Sequence, residues 1–581
     1  MMKPSFSPGA EPVRRHWRLG LIAAAVVVVV TSIPQVSLIV RRGDAWQGSY
    51  ALTDFDELAY SAYVNALIDG RPRRNNPYLP KESDRQNIGE SYFSIQFLPA
   101  FAIALPARAL GISTSTAFIL LTPLMAFAAS LAVFWLFFQI TRNEAISAVG
   151  VLIVLLCGRL ASESPFMAVQ YYSSFAFLRR YLPAVPFPLF FLFCGFVWRA
   201  FVQKSHRWAL AAGFSLVLLI FSYFYLWTAA AAWLFCFTVL WLIARAEEWR
   251  AVTKSILIVA AVTVCALVPY LYLLSQRAET IDRDQALTFS RTPDVFRVAE
   301  IISFLIIVVL IIYIRRIAWR SPEVLFVSAC AITPFVVFNQ QVVTRLTLQS
   351  FHYEQFIINY VVLFSIVGTY HLLWSQLKIR PIAWAIFAAG IGLATALKEA
   401  HDNWPLNLRR DQARPVFRQL AQTQSLALFD NSLLAASALT DSSVPQLLSP
   451  NLYIYGGVTD EERRERLFQY LYLLGIQPET FAQDLQNSAH LQAEVFGLSR
   501  VNGGLTQTFR PISADEIRAQ VEAYSAYAKN FSAEQARRQP LGYVVTSSEV
   551  AHDFANLDRW YTRSAGEQVG DSVIYRVQLK Q

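Results

Sequence analysis

Long apolar runs broken by short polar connectors fill the first two-thirds of the chain. A run of about 20 apolar residues matches the hydrocarbon thickness of a bilayer. Twelve candidate spans fit, at 17–40, 93–110, 115–140, 144–160, 182–202, 208–224, 226–244, 254–275, 298–317, 322–338, 355–374 and 380–397. Beyond 397 the pattern changes. Short β-type runs at Ser425–Phe429, Tyr453–Tyr455, Gly542–Thr546 and Ser572–Leu579 alternate with helices opened by Thr459-Asp-Glu-Glu462 and Ser513-Ala-Asp-Glu516; a Ser or Thr with Glu three residues on is a helix-starting capping box. The expected fold is a polytopic α-helical membrane protein of about 11–13 spans with a small C-terminal α/β soluble domain. Residues 1–397 would form the transmembrane domain, with a first outer loop at 41–92, and residues 398–581 the soluble domain.

Composition sharpens this. At 55% hydrophobic and 16% charged, with mean hydropathy +0.36, the chain is no single soluble domain, since soluble chains carry roughly 25% charged residues. The net charge of +9 is unevenly shared: residues 398–581 carry −3 and the rest +12. A nucleic-acid binder would place its surplus in the soluble part, so no nucleic-acid partner is expected. The surplus sits instead in short connectors (Lys204/His206/Arg207, Arg245/Arg250/Lys254, Arg315/Arg316/Arg320, Lys378/Arg380), the mark of cytoplasmic loops.

Arg14-Arg15-His16-Trp17-Arg18 before the first run is similar to the start of a signal peptide, but the apolar stretch continues to about Val40 with no small-residue cleavage site close behind. The expectation is an integral inner (cell) membrane protein with a retained first span, a cytoplasmic N-terminus and an extracytoplasmic C-terminal domain. Twelve full crossings would return the C-terminus to the cytoplasm. The run 93–110, with Pro99, Pro106 and Arg108, is the weakest span and reads as interfacial or re-entrant; the alternative is a miscount within 209–244. All five cysteines lie in apolar blocks, which leaves no disulfide framework and no thiolate metal site.

Candidate chemistry concentrates in residues 53–90. Thr53-Asp54-Phe55-Asp56-Glu57-Leu58 opens a short helix ending at Gly70, with Phe55, Leu58, Ala59, Ala62, Ala66 and Leu67 at helical spacing. That stripe suits a helix lying along the membrane face. Asp54 as N-cap with Glu57 three residues later is itself a capping box, which accounts for two of the three acids and leaves Asp56. From the residues alone, structural capping and a catalytic carboxylate both stand.

One span followed by an outer loop with Asp-Glu at the start of a juxtamembrane helix resembles the GT-C class of integral-membrane glycosyltransferases, which includes protein O-mannosyltransferases and aminoarabinose transferases. Ala66-Leu67-Ile68-Asp69-Gly70, Asn76-Pro77-Tyr78, Phe97-Leu98-Pro99-Ala100 and Leu110-Gly111-Ile112-Ser113 extend the likeness over the first 140 residues or so. The resemblance implies an inverting enzyme that moves a sugar from a polyprenyl-phosphate carrier to a glycan, lipid or protein acceptor at the outer membrane face. It implies Asp56 and Glu57 as the catalytic pair, one acting as general base, with Asp54 an accessory substrate-binding acid. Some members of the class hold a divalent cation on loop acids. Three carboxylates within four residues could ligate Mg²⁺ or Mn²⁺, but nothing in the chain requires a metal and no metal ligand is assigned.

A departing phosphate needs cations and donors. Two outer loops supply them: Tyr171-Tyr172-Ser173-Ser174-Phe175-Ala176-Phe177-Leu178-Arg179-Arg180-Tyr181, and the connector from Asn339 to Glu354 with Gln340, Gln341, Arg345, Gln349 and His352. Arg345 is the expected phosphate ligand, with Gln349 and His352 as secondary donors and Arg179 and Arg180 as further contacts. The competing roles are interfacial snorkelling for Arg345, a satisfied interfacial histidine for His352, and positive-inside markers for Arg179 and Arg180. Ser222-Tyr223-Phe224-Tyr225-Leu226-Trp227 reads as part of an aromatic belt, and Asp430 as a loop acid or a second site.

Two other functions are consistent with the pattern. A multi-span transporter would place ionisable groups near the membrane midplane, where these spans are nearly bare of charge. A non-catalytic receptor or assembly protein would depend on the C-terminal domain and not on Asp56 or Glu57.

Overall fold

The computed structural model describes residues 17–581 other than 86–87, 163–172, 280–286, 374–379, 422, 498–499 and 502–509. Arg14, Arg15, His16, Tyr171, Tyr172 and Lys378, singled out above, lie outside the described residues.

All twelve apolar runs are helical. Seven helices are long and apolar enough to cross a membrane: Arg18–Ala45, Thr114–Thr141, Phe224–Ala244, Ala246–Ser275, Pro322–Thr344, Ser350–Leu372 and Pro381–Asp402. Five shorter apolar helices accompany them, at Leu98–Leu110, Glu144–Leu156, Phe187–Val202, His206–Ile220 and Val298–Ile312. The protein is an integral membrane protein, mostly helical, with a small C-terminal sheet region. The 93–110 run is broken at Gln96–Phe97, and Leu98–Leu110 spans roughly 20 Å at 1.5 Å per residue, less than a bilayer core.

The two ends of the helical bundle differ in chemistry. At one end the short basic connectors converge: Lys204 and Arg245 both reach Glu248, at 3.3 and 2.9 Å, and Arg245 also donates to the Arg320 carbonyl. At the other end lie the first loop, the 173–186 segment, the 339–354 connector and the polar C-terminal part. The Trp404–Leu420 helix grips the first loop there. Asn407 brackets Leu52, accepting its N–H (2.6 Å) and donating to its carbonyl (3.1 Å), while Asp411 takes Arg42 Nε at 2.9 Å and the Ser49 hydroxyl at 2.5 Å.

The Asp56–Ile68 helix does not lie on an open membrane face, as its stripe suggested. Ten of its thirteen residues are buried. Its apolar side packs on Leu98–Leu110 and Thr114–Thr141. The C-terminal part covers its polar side: Ser61 shares a hydrogen bond with Thr440 (2.7 Å), Asn65 donates to the Ser442 carbonyl (3.0 Å) and Tyr455 donates to the Ala59 carbonyl. Gly70 ends the turn at φ +81°, a conformation glycine adopts without steric cost.

The strands are β1 (Leu287–Phe289) and β2 (Leu346–Leu348), which pair as an antiparallel ribbon, and β3 (Leu426–Phe429), β4 (Leu541–Ser547), β5 (Tyr561–Arg563), β6 (Glu567–Val569) and β7 (Ser572–Leu579). The last five form a sheet of order β3-β4-β7-β5, with β6 also on β7; β3 and β4 are parallel and the remaining pairs antiparallel. Its outer core collects Leu428, Phe468, Leu471, Phe481, Tyr524 and Val544. Asp430, just after β3, accepts the Ser547 N–H at 2.7 Å and lies 2.8 Å from His552, tying the strand end to the loop after β4. Tyr453–Tyr455 is not a strand. Leu452–Tyr455 is a single 3₁₀ turn that buries Tyr455 against Tyr63 and Tyr78 of the first loop and Phe93 just after it, and Tyr453 under Arg463 of the C-terminal part, and it runs into Gly456 at φ +75°.

Candidate functional site

The acid cluster is organised by two consecutive arginines more than a hundred residues away in sequence. At the start of the Asp56–Ile68 helix the N-cap position falls on Phe55, so Asp54 does not cap in the expected way. Its carboxylate accepts the Asp56 N–H at 3.0 Å, and Glu57 reaches back to the N–H and hydroxyl of Thr53, at 3.4 and 3.2 Å.

Arg180 closes on Glu57. Its Nη1 lies 2.8 Å from Oε2, and its backbone N–H donates to Oε1 at 3.0 Å. Nε donates to Thr122 Oγ1 and Nη1 also to the Ala51 carbonyl, both at 2.9 Å, and the guanidinium lies over the Tyr50 ring. The Glu57 side chain is 0% exposed. A buried carboxylate this fully paired holds the loop in shape.

Arg179 closes on Asp56 differently. The guanidinium is fully buried, 4.1 Å from the Phe356 ring centre and 5.3 Å from that of Tyr60. Nε donates to the Leu182 carbonyl (2.7 Å), Nη2 to the Tyr223 hydroxyl (3.2 Å) and Nη1 to Asp56 Oδ2 (2.5 Å). Yet the Asp56 side chain is 53% exposed. One oxygen is fixed by a charge-assisted bond and the carboxylate keeps a solvent-facing side. Asp54, buried behind it, lies 3.8 Å from the same guanidinium. Burial pushes the Asp54 carboxyl well above the usual carboxylate range, against the opposing pull of Arg179.

The connector reaches the same place through aromatic contacts. His352 sits edge-on to Tyr225 (4.7 Å between ring centres) and 5.2 Å from Phe356, the ring that carries Arg179. Gln349, at φ +22°, meets the Tyr225 hydroxyl at 3.5 Å. Two anchors hold this arrangement. The first is the β1–β2 ribbon. The second is Arg297, which donates to Asp294, Glu354 and Ser350 at 2.7, 2.8 and 2.8 Å.

The structure therefore gathers Asp54, Asp56, Glu57, Arg179, Arg180, His352 and Gln349. Arg345 stands apart from the acids: it is exposed, ends the Pro322–Thr344 helix at φ +65°, and makes no ion pair among the described residues. The three acids face arginines rather than a common centre, and among the described residues no group of three or more His, Cys, Asp or Glu side chains is placed to hold a metal ion. The sequence reading missed Phe356 and Glu399. Glu399 is buried at the acid-cluster end of the Pro381–Asp402 helix and accepts the Ser174 N–H at 2.8 Å. An acid within a mostly apolar helix was its one signal. Tyr223 was noted only as an aromatic and proves to be an acceptor for Arg179.

No protein-family model and no curated protein matches this sequence. Among solved structures the chain is similar to the crystal structure of ArnT from Cupriavidus metallidurans bound to undecaprenyl phosphate. The identity is 14%, the match covers 96% of this chain and 97% of that one, and the TM-score is 0.41. A superposition this loose names no reaction, and the site must be read from its own residues.

Proposed function

We propose that this protein is a membrane glycosyltransferase of GT-C type, with Asp56 as the general base. In the reaction an acceptor hydroxyl attacks the anomeric carbon of a sugar linked to polyprenyl phosphate. Asp56 takes the acceptor proton, the bond from the anomeric carbon to the phosphate oxygen breaks, and the carrier phosphate leaves with the electron pair, inverting the centre. One observation carries the reading: a single exposed carboxylate is fixed at 2.5 Å by a wholly buried guanidinium, on the rim where the polar connector also ends. That is the geometry of a positioned base.

Glu57, sealed by Arg180, keeps the loop in place, and Arg179 orients Asp56. The carrier phosphate falls to Arg345, the exposed cation of the connector, with Gln349 and His352 as donors beside the aromatic wall. This assignment puts the acid-cluster end outside and the basic connectors in the cytoplasm. Residues 398–581 then form an extracytoplasmic domain that covers the first loop and guides the acceptor.

The test is transfer from a panel of labelled polyprenyl-phosphate sugars by the purified full-length protein. Turnover from at least one donor, lost in Asp56→Asn, is expected. Failure with every donor, or undiminished transfer by Asp56→Asn, refutes the proposal.

A further inference from the structure

The β1–β2 ribbon and its flanks carry an apolar surface that the site does not use. Phe296 is 85% exposed and Val343 82%, with Phe289, Val295 and Leu346 also exposed around them. Phe289 and Leu346 are register partners across the ribbon, so their side chains share one face. The segment between Thr292 and Asp294 is hydrogen-bonded to Asn339 and Gln341 near the end of the Pro322–Thr344 helix, which brings Val295 and Phe296 beside Val343. The surface continues into Ile301, Phe304 and Leu305, exposed on the Val298–Ile312 helix, an apolar face of the kind that meets lipid in an integral membrane protein. Two exposed arginines border it, Arg291 and Arg345, while the neighbouring Asp294 is engaged by Arg297 at 2.7 Å.

We infer that this ribbon docks into the bilayer surface, seating Phe289, Phe296 and Val343 among the headgroups and upper acyl chains with Arg291 on the phosphates of anionic lipids. Large apolar side chains flanked by guanidiniums at the end of spanning helices match an interfacial anchor, and a negative lipid surface attracts the arginines. A protein partner would not need the apolar face to run unbroken into the lipid-facing side of a helix. The inference does not depend on the proposed reaction, although it sets Arg345 at headgroup depth.

The test uses the full chain with the exposed Cys265 replaced by Ala, the other four cysteines being buried. A nitroxide is attached at Phe296→Cys or, as a solvent reference, at Asp515→Cys. The protein is reconstituted in phosphatidylcholine nanodiscs with or without phosphatidylglycerol, and accessibility to oxygen and to a water-soluble nickel chelate is read by power-saturation EPR. The expected oxygen-to-nickel ratio at 296 is several-fold above that at 515. It rises further with phosphatidylglycerol, and Arg291→Glu abolishes that rise without changing the signal at 515. A ratio at 296 equal to that at 515 overturns docking. Protection from both reagents overturns it in favour of a protein partner or a second copy, and insensitivity of the parent to phosphatidylglycerol overturns the anionic-lipid role of Arg291.

Discussion

Arg179–Asp56 and Arg180–Glu57 are neighbouring ion pairs made from the same side-chain chemistry, and their surroundings divide them. In the second pair both partners are sealed, and every Glu57 oxygen has a donor from Arg180 or Thr53. In the first the arginine is equally buried but the acid opens outward. A sealed pair yields conformational definition at a desolvation cost. A pair open on the acid's side yields a carboxylate with a fixed direction and an unoccupied face. In the proposed reaction this difference gives the chemistry to Asp56 and the architecture to Glu57.

The comparison is tested most severely by isosteric amides at both acids. Asp56→Asn is expected to lower transfer by roughly 10²–10⁴-fold, the usual worth of a positioned general base, with a smaller loss of thermal stability than at Glu57 because water reaches the Asp56 side chain. Glu57→Gln is expected to do the reverse in kind. It strands Arg180 without a counter-charge and lowers stability by about 3 kcal/mol, at the lower end for breaking a buried pair because the amide keeps part of the hydrogen bonding. Unfolding midpoints and initial transfer rates measured on both variants decide it. If Glu57→Gln folds with parental stability and loses activity as fully as Asp56→Asn, the division of labour is wrong.

Next in size is Tyr223→Phe. It removes the acceptor for Arg179 Nη2 at 3.2 Å and is expected to cost about 1 kcal/mol of stability. Because Arg179 is also held by Leu182, Phe356 and Tyr60, transfer should fall only a few-fold, read as kcat with KM for the carrier unchanged. A large rise in KM would place Tyr223 on the substrate instead.

What could be read in advance follows from the range of each signal. The apolar runs are local and long, so all twelve appear as helices, and Ser572–Leu579 is a strand with the expected bounds. Asp56 stood out because capping could absorb its two neighbours and not it. Which guanidinium meets which acid was not legible, because the pairing joins positions 123 residues apart through packing no local pattern encodes. The same holds for the β1–β2 ribbon, whose three-residue strands are too short to carry a periodicity. The helix after Asp56 misled for another reason: its stripe was real, but the polar face that implied water is covered by Thr440, Ser442 and Tyr455. At Tyr453–Tyr455, alternating aromatic residues imitated a strand, while burial of Tyr455 against the first loop and of Tyr453 under Arg463 goes with a turn.

Asp54 adds a pH-dependent contrast. Burial raises its carboxyl well above the usual range, so the folded protein binds its proton more tightly than the unfolded chain does. Stability from this group is fully present below the unfolded value of about 3.9 and is lost as pH rises through the raised folded value. Asp54→Asn should flatten that part of the profile, read as the unfolding midpoint of parent and variant across mildly acidic to neutral pH. Parallel profiles would mean that Asp54 stays ionised and that Arg179 serves two carboxylates.

A third arginine–acid pair is partly exposed on both sides, Arg500 at 29% and Glu516 at 28%. Arg500 Nη2 lies 3.0 and 3.1 Å from the two Glu516 oxygens, and Glu516 closes a capping box with Ser513. The Ser513 N–H, then Arg500 and the Ser513 hydroxyl, hold its carboxyl down to about 2. A lowered carboxylate contributes stability above its unfolded value, about 4.3, and loses it as pH falls toward the folded value. Water reaches both partners and screens the pair, so Glu516→Gln should produce the smallest shift of the series: a slight drop in unfolding midpoint near neutral pH that shrinks on acidification, with transfer untouched. Since the ions and the hydrogen-bonding groups resemble those at Glu57, a shift as large as that of Glu57→Gln would show that burial is not what separates these pairs. The contrast between Asp56 and Glu57 would then need another cause.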